Sequence, residues 1–484
     1  MNTRDYPRAN ELKSDSSTPP AVDTPPVQMI GGPWGSIIPA AVLVAVLGWL
    51  SLEGRASIPG FWVGGWCALV VGLILTKTKN EYAESIIRGL SDKTGIVIIT
   101  AFIFAGVFGA LLAGGGLVDG LLWLGLETGL HGAMFTVLAF FLSCLFAAGT
   151  GTSVGTVVAM VPVIYPAGVF LGADPAMLAV AILSGGAFGD NIAPISDTTI
   201  SSAFTQNAKM GDVVRTRLPL ALTAAGLALV VFLIFGGGGE VTGGHVDSHT
   251  SPLGLTMLLP FVLVVVLALR HNHIIISLTW GSLAAIAIGL VTGLMKPGAI
   301  FSIPAKQGGS TGLIENGISG VAGAIILVLF ILALAQLLAD SGLMARILTK
   351  LEKSAAKGVR SAELTIVAVS LAFSIPLGAN APAILLVGPT IARPLGLSHH
   401  LAPARTANLL DCSVCTVYYM LPWHNAVIVW YATVLLTAHT YGLQAPSITT
   451  ALLNPYAWAL LVVLLVSIVT GWNRTYDNRS RQAT

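Results

Sequence analysis

The chain has 484 residues, and only 10% of them are Asp, Glu, Lys or Arg, against about 25% in ordinary soluble domains. With 55% hydrophobic residues, it lacks the charge to cover a water-facing surface, so most of that surface must face lipid. Four Cys exclude a disulfide-stapled secreted scaffold, and a net charge of +2 gives no footprint for nucleic acid.

Residues 1–33 mix Ser, Thr and Pro with scattered charges and show no apolar periodicity, which predicts a disordered tail rather than a signal peptide. From Trp34 onward, apolar segments of membrane-crossing length follow one another. They cover about 34–52, 58–76, 94–116, 131–149, 152–171, 176–202 and 218–235, then 253–269, 274–294, 318–339, 362–377, 380–397, 401–438 and 454–472. The 401–438 stretch is read as one broken crossing, and the shorter segments 117–128 and 341–353 are read as interfacial. No alternating ten-residue pattern suggests a barrel. The expected fold is an all-α polytopic membrane protein of about 12–14 transmembrane helices.

Charge placement predicts orientation. With the N-terminus inside, only Arg55, Lys296 and Lys306 of the 24 Lys and Arg fall outside, and the other 21, Arg217 and Arg405 among them, fall on the cytoplasmic side. Both termini are therefore expected in the cytoplasm, with the chain in an inner (plasma) membrane. The spans also repeat. Residues 34–235 and 253–472 share one layout, and seven spans each make the second set run opposite to the first. Gly149-Thr150-Gly151-Thr152-Ser153 precedes Pro162 and Asp190, while Gly378-Ala379-Asn380 precedes Pro389 and Asp411. Two inverted repeats with broken helices at the core are the layout of secondary transporters; residues 473–484 form a cytoplasmic tail.

Most acidic residues are expected in tails or loops, with Asp190, Asp197, Asp340 and Asp411 as exceptions. Asp340 reads as a helix-end charge at the interface. A carboxylate at the centre of a span costs roughly 2.5–3.5 kcal/mol and marks a functional site by default. The densest stretch runs Gly185-Gly186-Ala187-Phe188-Gly189-Asp190-Asn191-Ile192-Ala193-Pro194-Ile195-Ser196-Asp197-Thr198-Thr199. Pro194 removes one backbone donor and predicts an unwound turn. Asp190, Asn191, Ser196, Asp197, Thr198 and Thr199 would then present oxygens only, a set suited to a hard cation such as Na+ held at Asp190 and Asp197. A proton competes for the same carboxylate oxygens: burial favours the neutral acid and a bound cation the charged form. Exclusive occupancy with alternating exposure is sufficient for antiport.

Thr150, Thr152 and Ser153 occupy a Gly-rich break, where their small side chains serve close packing or lend hydroxyls to the site. Across the repeat, Asn380, Arg405, Asn408, Asp411, Ser413 and Thr416 form the matching polar group, and an ion pair between Arg405 and Asp411 within one broken helix is expected. Pro422-Trp423-His424-Asn425 interrupts the thirteenth span, with His424 either a pH sensor or a hydrogen-bonded residue at a helix break. Cys412 and Cys415 read as small packing residues. No Walker loop or dinucleotide fingerprint is visible, so no cofactor is called for and Na+ and H+ are cargo.

The stretch from Gly189 to Thr199 resembles the signature of the NhaC-type sodium/proton antiporter family, within the wider ion transporter superfamily. The resemblance continues in Gly149-Thr150-Gly151-Thr152-Ser153 and in Leu421-Pro422-Trp423-His424-Asn425. It departs at Asn191, where many members carry Lys, and at His424, which interrupts a Pro-Trp-Asn run. The resemblance implies an inner-membrane antiporter with two inverted halves, commonly a homodimer. Relatives of this layout include carriers of organic acids and amino acids. The leading expectation is Na+/H+ exchange; the alternative is a Na+- or H+-coupled carrier of a small organic anion or amino acid, with Arg405, His424 and the Ser/Thr groups orienting the solute. A channel and an intramembrane enzyme rank below both.

Overall fold

A computed structural model describes residues 27–53, 58–91, 93–194, 196–239, 251–270, 274–302, 312–343, 358–378 and 380–477. Its first part consists of α1 (Ile37–Leu52), α2 (Ile58–Leu75), α3 (Lys79–Leu90), α4 (Lys93–Gly114), α5 (Leu117–Thr128), α6 (Ala133–Thr150), α7 (Ser153–Phe170), α8 (Pro175–Ile192), α9 (Asp197–Gln206) and α10 (Met210–Phe235). The second consists of α11 (Leu258–Leu269), α12 (Ile274–Val291), α13 (Leu313–Asp340), α14 (Val359–Leu377), α15 (Asn380–Val387), α16 (Arg393–Ser398), α17 (Pro403–Val417), α18 (Asn425–Thr440) and α19 (Pro455–Thr470). A π turn, Gly388–Ala392, joins α15 to α16. Among the described residues there is no strand, only isolated bridges.

The chain is an all-α polytopic membrane protein. Among the described residues, seven helices or helix runs are long and apolar enough to cross a bilayer, and an eighth candidate is the pair Phe102–Gly114 and Leu117–Thr128, bent by 58°. Four shorter apolar helices accompany them. Trp49, Trp66, Ile234, Val291 and many other large apolar side chains point outward. Water would make that coat a liability, and hydrocarbon makes it a solvent-matched surface.

Helix ends fall where the residues dictate. The stretch 176–202 divides into α8 and α9 around Ala193–Ser196, because Pro194 cannot donate to the Asp190 carbonyl. The 401–438 stretch breaks between Val417 and Asn425, at Pro422. The α6–α7 and α14–α15 junctions share one device: Gly151 (φ 66°) and Gly378 (φ 62°) each end a helix in the left-handed region. The site-bearing helices pack together, α6 along α8, α7 against α8 and α18, and α17 against α9, α14 and α19.

Glycines set the closest of these approaches. A side-chain carbon on Gly189 would overlap Ala147, and one on Gly185 would overlap Ser143, so α8 can lie against α6 only without those atoms. The Gly-rich character of 185–189 is therefore a packing feature.

Three expectations are corrected here. The tail reading of 1–33 fails at its end: Val27 and Met29 are buried against Tyr82 and Leu337, and Val27 N–H donates to the Asp340 carbonyl at 3.1 Å; residues 1–26 lie outside the described residues. The C-terminal segment is also fastened through residue 477, with Ala402 N–H donating to Thr475 O and Asp477 N–H to His400 O, both at 2.9 Å. Finally, α5 is not spread on a surface, since six of its residues are buried and it packs on the Pro252–Met257 turn and on α7. The expected interfacial segment 341–353 lies outside the described residues beyond 343.

Candidate functional site

Asp190 sits in the last turn of α8, 3% exposed. Its Oδ1 accepts from Ser196 Oγ at 2.7 Å, and the Tyr419 hydroxyl donates to its Oδ2. Ser196 also meets Thr198 Oγ1 at 2.9 Å. The unwound turn thus folds its hydroxyls back over the carboxylate, while Tyr419 reaches it from the break between α17 and α18.

The second carboxylate, Asp411, is fully buried in α17 and paired with Arg217 at 2.6 Å. Asn191 Nδ2 donates to Asp411 Oδ1 at 3.0 Å and Cys415 Sγ to the same oxygen at 3.3 Å. Arg217 is also fully buried: its Nη1 donates to Asn191 O at 2.6 Å and to Thr199 Oγ1 at 2.8 Å, and its Nε to Asn408 Oδ1 at 2.9 Å. Tyr456 donates to Asn191 Oδ1 at 3.2 Å. One arginine therefore ties α8, α9, α10 and α17 together, and Asn191 joins the Asp190 turn to the Asp411 pair.

A third buried charge group lies in α14. Glu363 accepts from Arg405 Nε at 2.8 Å and from Arg474 Nη2 at 2.6 Å, and Arg405 Nη1 donates to Ser467 Oγ at 2.8 Å. These bonds hold the guanidinium of Arg474, which lies beyond the end of α19, still more firmly protonated.

Charge counting then singles out one residue. Among the described residues the buried carboxylates are Asp190, Glu363 and Asp411, and the buried guanidiniums are Arg217 and Arg405. Glu363 and Asp411 have arginine partners, whereas the hydrogen bonds to the Asp190 carboxylate come from hydroxyls. The fully buried set carries one negative charge without a local countercharge when Asp190 is ionised; the half-buried Arg474 adds its positive charge to the Glu363 group and not to Asp190. A monovalent cation or a proton at Asp190 neutralises it.

Several expected site residues fall elsewhere. Asp197 is exposed in the first turn of α9, where its Oδ1 accepts from Thr198 N–H at 2.9 Å, so it does not share the burial of Asp190. The expected Arg405–Asp411 pair does not form, because on α17 the two side chains reach different partners, Glu363 and Arg217. Arg217, expected on the cytoplasmic side with the loop charges, lies inside α10, and Glu363, expected in a tail or loop, lies inside α14. Thr150 back-bonds to Phe146 O at 2.9 Å and Thr152 caps α7 through Gly155 N–H at 3.2 Å, while Ser153 lies buried against Gly186. Thr199 and Asn408 join the site through Arg217. Ser413 and Thr416 bond to carbonyls of their own helix. Asn380, His424 and Asn425 gather at the crossing of two helix breaks, apart from the direct contacts of Asp190.

Two of the missed residues lie on periodic faces. Val213, Arg217, Leu220, Ala221, Ala224 and Ala228 are one buried stripe of α10, so extending the apolar period backwards reaches Arg217. Glu363 shares a stripe with Ile366, Val367 and Ser370. Tyr419 lies in a break, where periodicity gives no signal. A cavity of about 400 Å³ lies between α4, α7, α13 and α18, lined by Phe102, Gly109, Pro162, Leu313 and Thr433 among others, and none of its lining residues belongs to the Asp190 or Asp411 sets.

Comparison with known proteins agrees with a transporter. The chain is 28% identical over 312 residues to the malate-2H+/Na+-lactate antiporter of Bacillus subtilis strain 168, covering 60% of this chain and 65% of that protein. It is 28% identical over 236 residues to the Na+/H+ antiporter NhaC of Alkalihalophilus pseudofirmus, covering 47% of this chain and 48% of that one. The chain thus spans less than two thirds of either relative. MtrF of Neisseria gonorrhoeae, described within a class of antimetabolite efflux pumps, aligns with a TM-score of 0.41 at 11% identity, covering 81% of this chain and 83% of that one. The model of the Na+/H+ antiporter family matches residues 7–237 and 243–472, nearly the whole sequence. On that match, the chain belongs to the Na+/H+ antiporter family.

Proposed function

We propose that this secondary transporter exchanges Na+ for H+ across the inner membrane by alternating access, with both ions competing at Asp190. The observation that carries this reading is the missing local countercharge: Glu363 and Asp411 are paired with arginines, whereas the Asp190 carboxylate accepts from the hydroxyls of Ser196 and Tyr419. In water such a carboxylate is cheap, but in a low-dielectric core it needs a countercharge. Na+ supplies one from an oxygen set that includes Asp190, Ser196 and Thr198; H+ supplies the other by neutralising the acid. Asp197, exposed at the neighbouring helix start, would attract cations toward the buried carboxylate. Asn191 and Thr199 hold the turn in place through Arg217 and Asp411.

The repeats 34–235 and 253–472, with matching left-handed glycines at Gly151 and Gly378, support an inverted arrangement in which the two halves alternate exposure of one site. The skewed placement of Lys and Arg supports cytoplasmic termini. The test is reconstitution: under an imposed pH gradient, Na+ is expected to drive proton flux in proteoliposomes without any organic solute. Asp190→Asn is expected to abolish that flux while leaving insertion intact, and undiminished flux in this variant would remove Asp190 from the mechanism.

A second reading, coupled transport of a small organic anion or amino acid, is favoured by the likeness to a malate and lactate antiporter. Absence of Na+-dependent proton flux, together with uptake of an organic solute, would establish it in place of the first.

A further inference from the structure

The break between α14 and α15 crosses the break between α17 and α18. Asn425 N–H donates to Gly378 O at 3.1 Å, Trp423 Nε1 to Ile375 O at 2.8 Å, and His424 Nε2 meets the same Ile375 O at 3.2 Å. Within four residues of these ties, Ser374 Oγ, Asn380 Oδ1, His424 Nδ1 and Asn425 Oδ1 are buried without a hydrogen-bond partner. The four side chains are at most 5% exposed. Buried polar atoms left unsatisfied on both sides of one helix crossing in a low-dielectric core point to a ligand.

The chemistry of these atoms narrows the ligand. A carbonyl only accepts, so His424 Nε2 carries the proton toward Ile375 O, and the neutral ring then offers Nδ1 as an acceptor. Both amide oxygens accept, and the serine hydroxyl is able to. An anion would meet acceptors, and an alkali-metal ion prefers oxygen and gains little from imidazole nitrogen. A charged N–H donor suits all four.

The surroundings agree. The Tyr418 ring lies 5.7 Å from His424 and 5.0 Å from Tyr419, and Trp423 lies 6.2 Å from His424, so the crossing is built among aromatic rings, the side chains that attract organic cations. Tyr419 donates to Asp190, which places a carboxylate beside the same aromatic cluster as countercharge.

We propose that this crossing binds the protonated amine of a small organic cation, at a site distinct from the Asp190 carboxylate and electrostatically coupled to it. The inference goes beyond Na+/H+ exchange at Asp190 and does not depend on it. Its test reads ligand-induced thermal stabilisation of the purified full-length protein, with methylammonium as probe and acetate and Na+ at matched ionic strength as comparisons. Methylammonium is expected to stabilise saturably where acetate does not. Ser374→Ala and Asn380→Leu are each expected to weaken its apparent affinity about tenfold, the loss of one hydrogen bond to a charged group. Without ligand, Ser374→Ala is expected to lose no stability, because the hydroxyl it removes has no partner; a purely structural role predicts lower ligand-free stability and an unchanged methylammonium response. If Asn380→Leu fails to fold, Ser374→Ala carries the test. The proposal is overturned by no saturable stabilisation in the parent protein, by equal stabilisation with acetate, or by an unchanged response in Ser374→Ala. A Na+ response lost in the same variants, with none to methylammonium, would make the crossing an alkali-metal site and overturn it too. Because stabilisation rather than flux is read, failure of Na+/H+ exchange leaves the outcome interpretable.

Discussion

Replacing Arg217 by Met keeps most of the side-chain volume and removes the charge, which leaves Asp411 fully buried with only neutral donors from Asn191, Cys415 and Ser202. At the 2.6 Å separation of this pair, the attraction lost is about 6 kcal/mol at an effective dielectric constant of about 20. Desolvation offsets part of it, and breaking a buried pair from one side destabilises by about 3–5 kcal/mol. Removing both partners, Arg217→Met with Asp411→Leu, eliminates the stranded charge. The double variant should still lose the donors to Asn191 O, Thr199 and Asn408, about 1 kcal/mol apiece. With each single change costing about 3–5 kcal/mol and the double about 3, the cycle predicts a coupling of at least about 3 kcal/mol between the two substitutions. Steric trapping in micelles measures the four unfolding free energies. Single costs that add to the double cost within about 0.5 kcal/mol would show that Arg217 and Asp411 do not form the buried pair described above.

Other consequences follow from the same contacts. Glu363→Leu leaves Arg405 without its carboxylate and should cost about 3–5 kcal/mol, whereas Arg474→Ala, 10% exposed at its side chain, should cost less; thermal unfolding followed by Trp fluorescence ranks them, and equal losses would deny the difference in burial. Gly189→Ala forces a methyl group into Ala147 and should cost about 1–3 kcal/mol. By contrast, Gly226→Ala on the open face of α10 meets nothing within 4 Å and should gain up to about 1 kcal/mol from helix propensity. A Gly189→Ala variant as stable as the parent would mean that α6 and α8 lie farther apart. Gly378→Ala places a side chain at φ 62°, a penalty of about 1–2 kcal/mol, and an unchanged melting temperature would contradict the left-handed break.

Much of the fold was legible because hydrocarbon imposes length and apolarity on every crossing: the boundaries of α2, α4, α6, α7 and α14 fall within two residues of the apolar segments that predict them, apart from the start of α14. Pro194 and Pro422 marked the two central breaks for a local reason, the missing backbone donor. Asp190 and Asp411 were legible as carboxylates inside apolar runs. Partnership was not. Arg405 and Asp411 are neighbours in sequence, but six residues along a helix leave them facing different elements, and their partners come from α14 and α10. Arg217 and Glu363 lie near the ends of apolar runs, where a charge reads as interfacial unless the buried stripe is extended through it. Tyr419 reaches Asp190 from 229 residues away, and only the crossing of broken helices brings the two together.

The central claim is that Na+ and H+ exclude one another at Asp190. Proton release on adding Na+ to the purified protein in weakly buffered micelles tests it most directly. The parent protein should release protons in proportion to Na+ bound, and Asp190→Asn should release none. Na+ binding with no proton released, or the same release from Asp190→Asn, would contradict it.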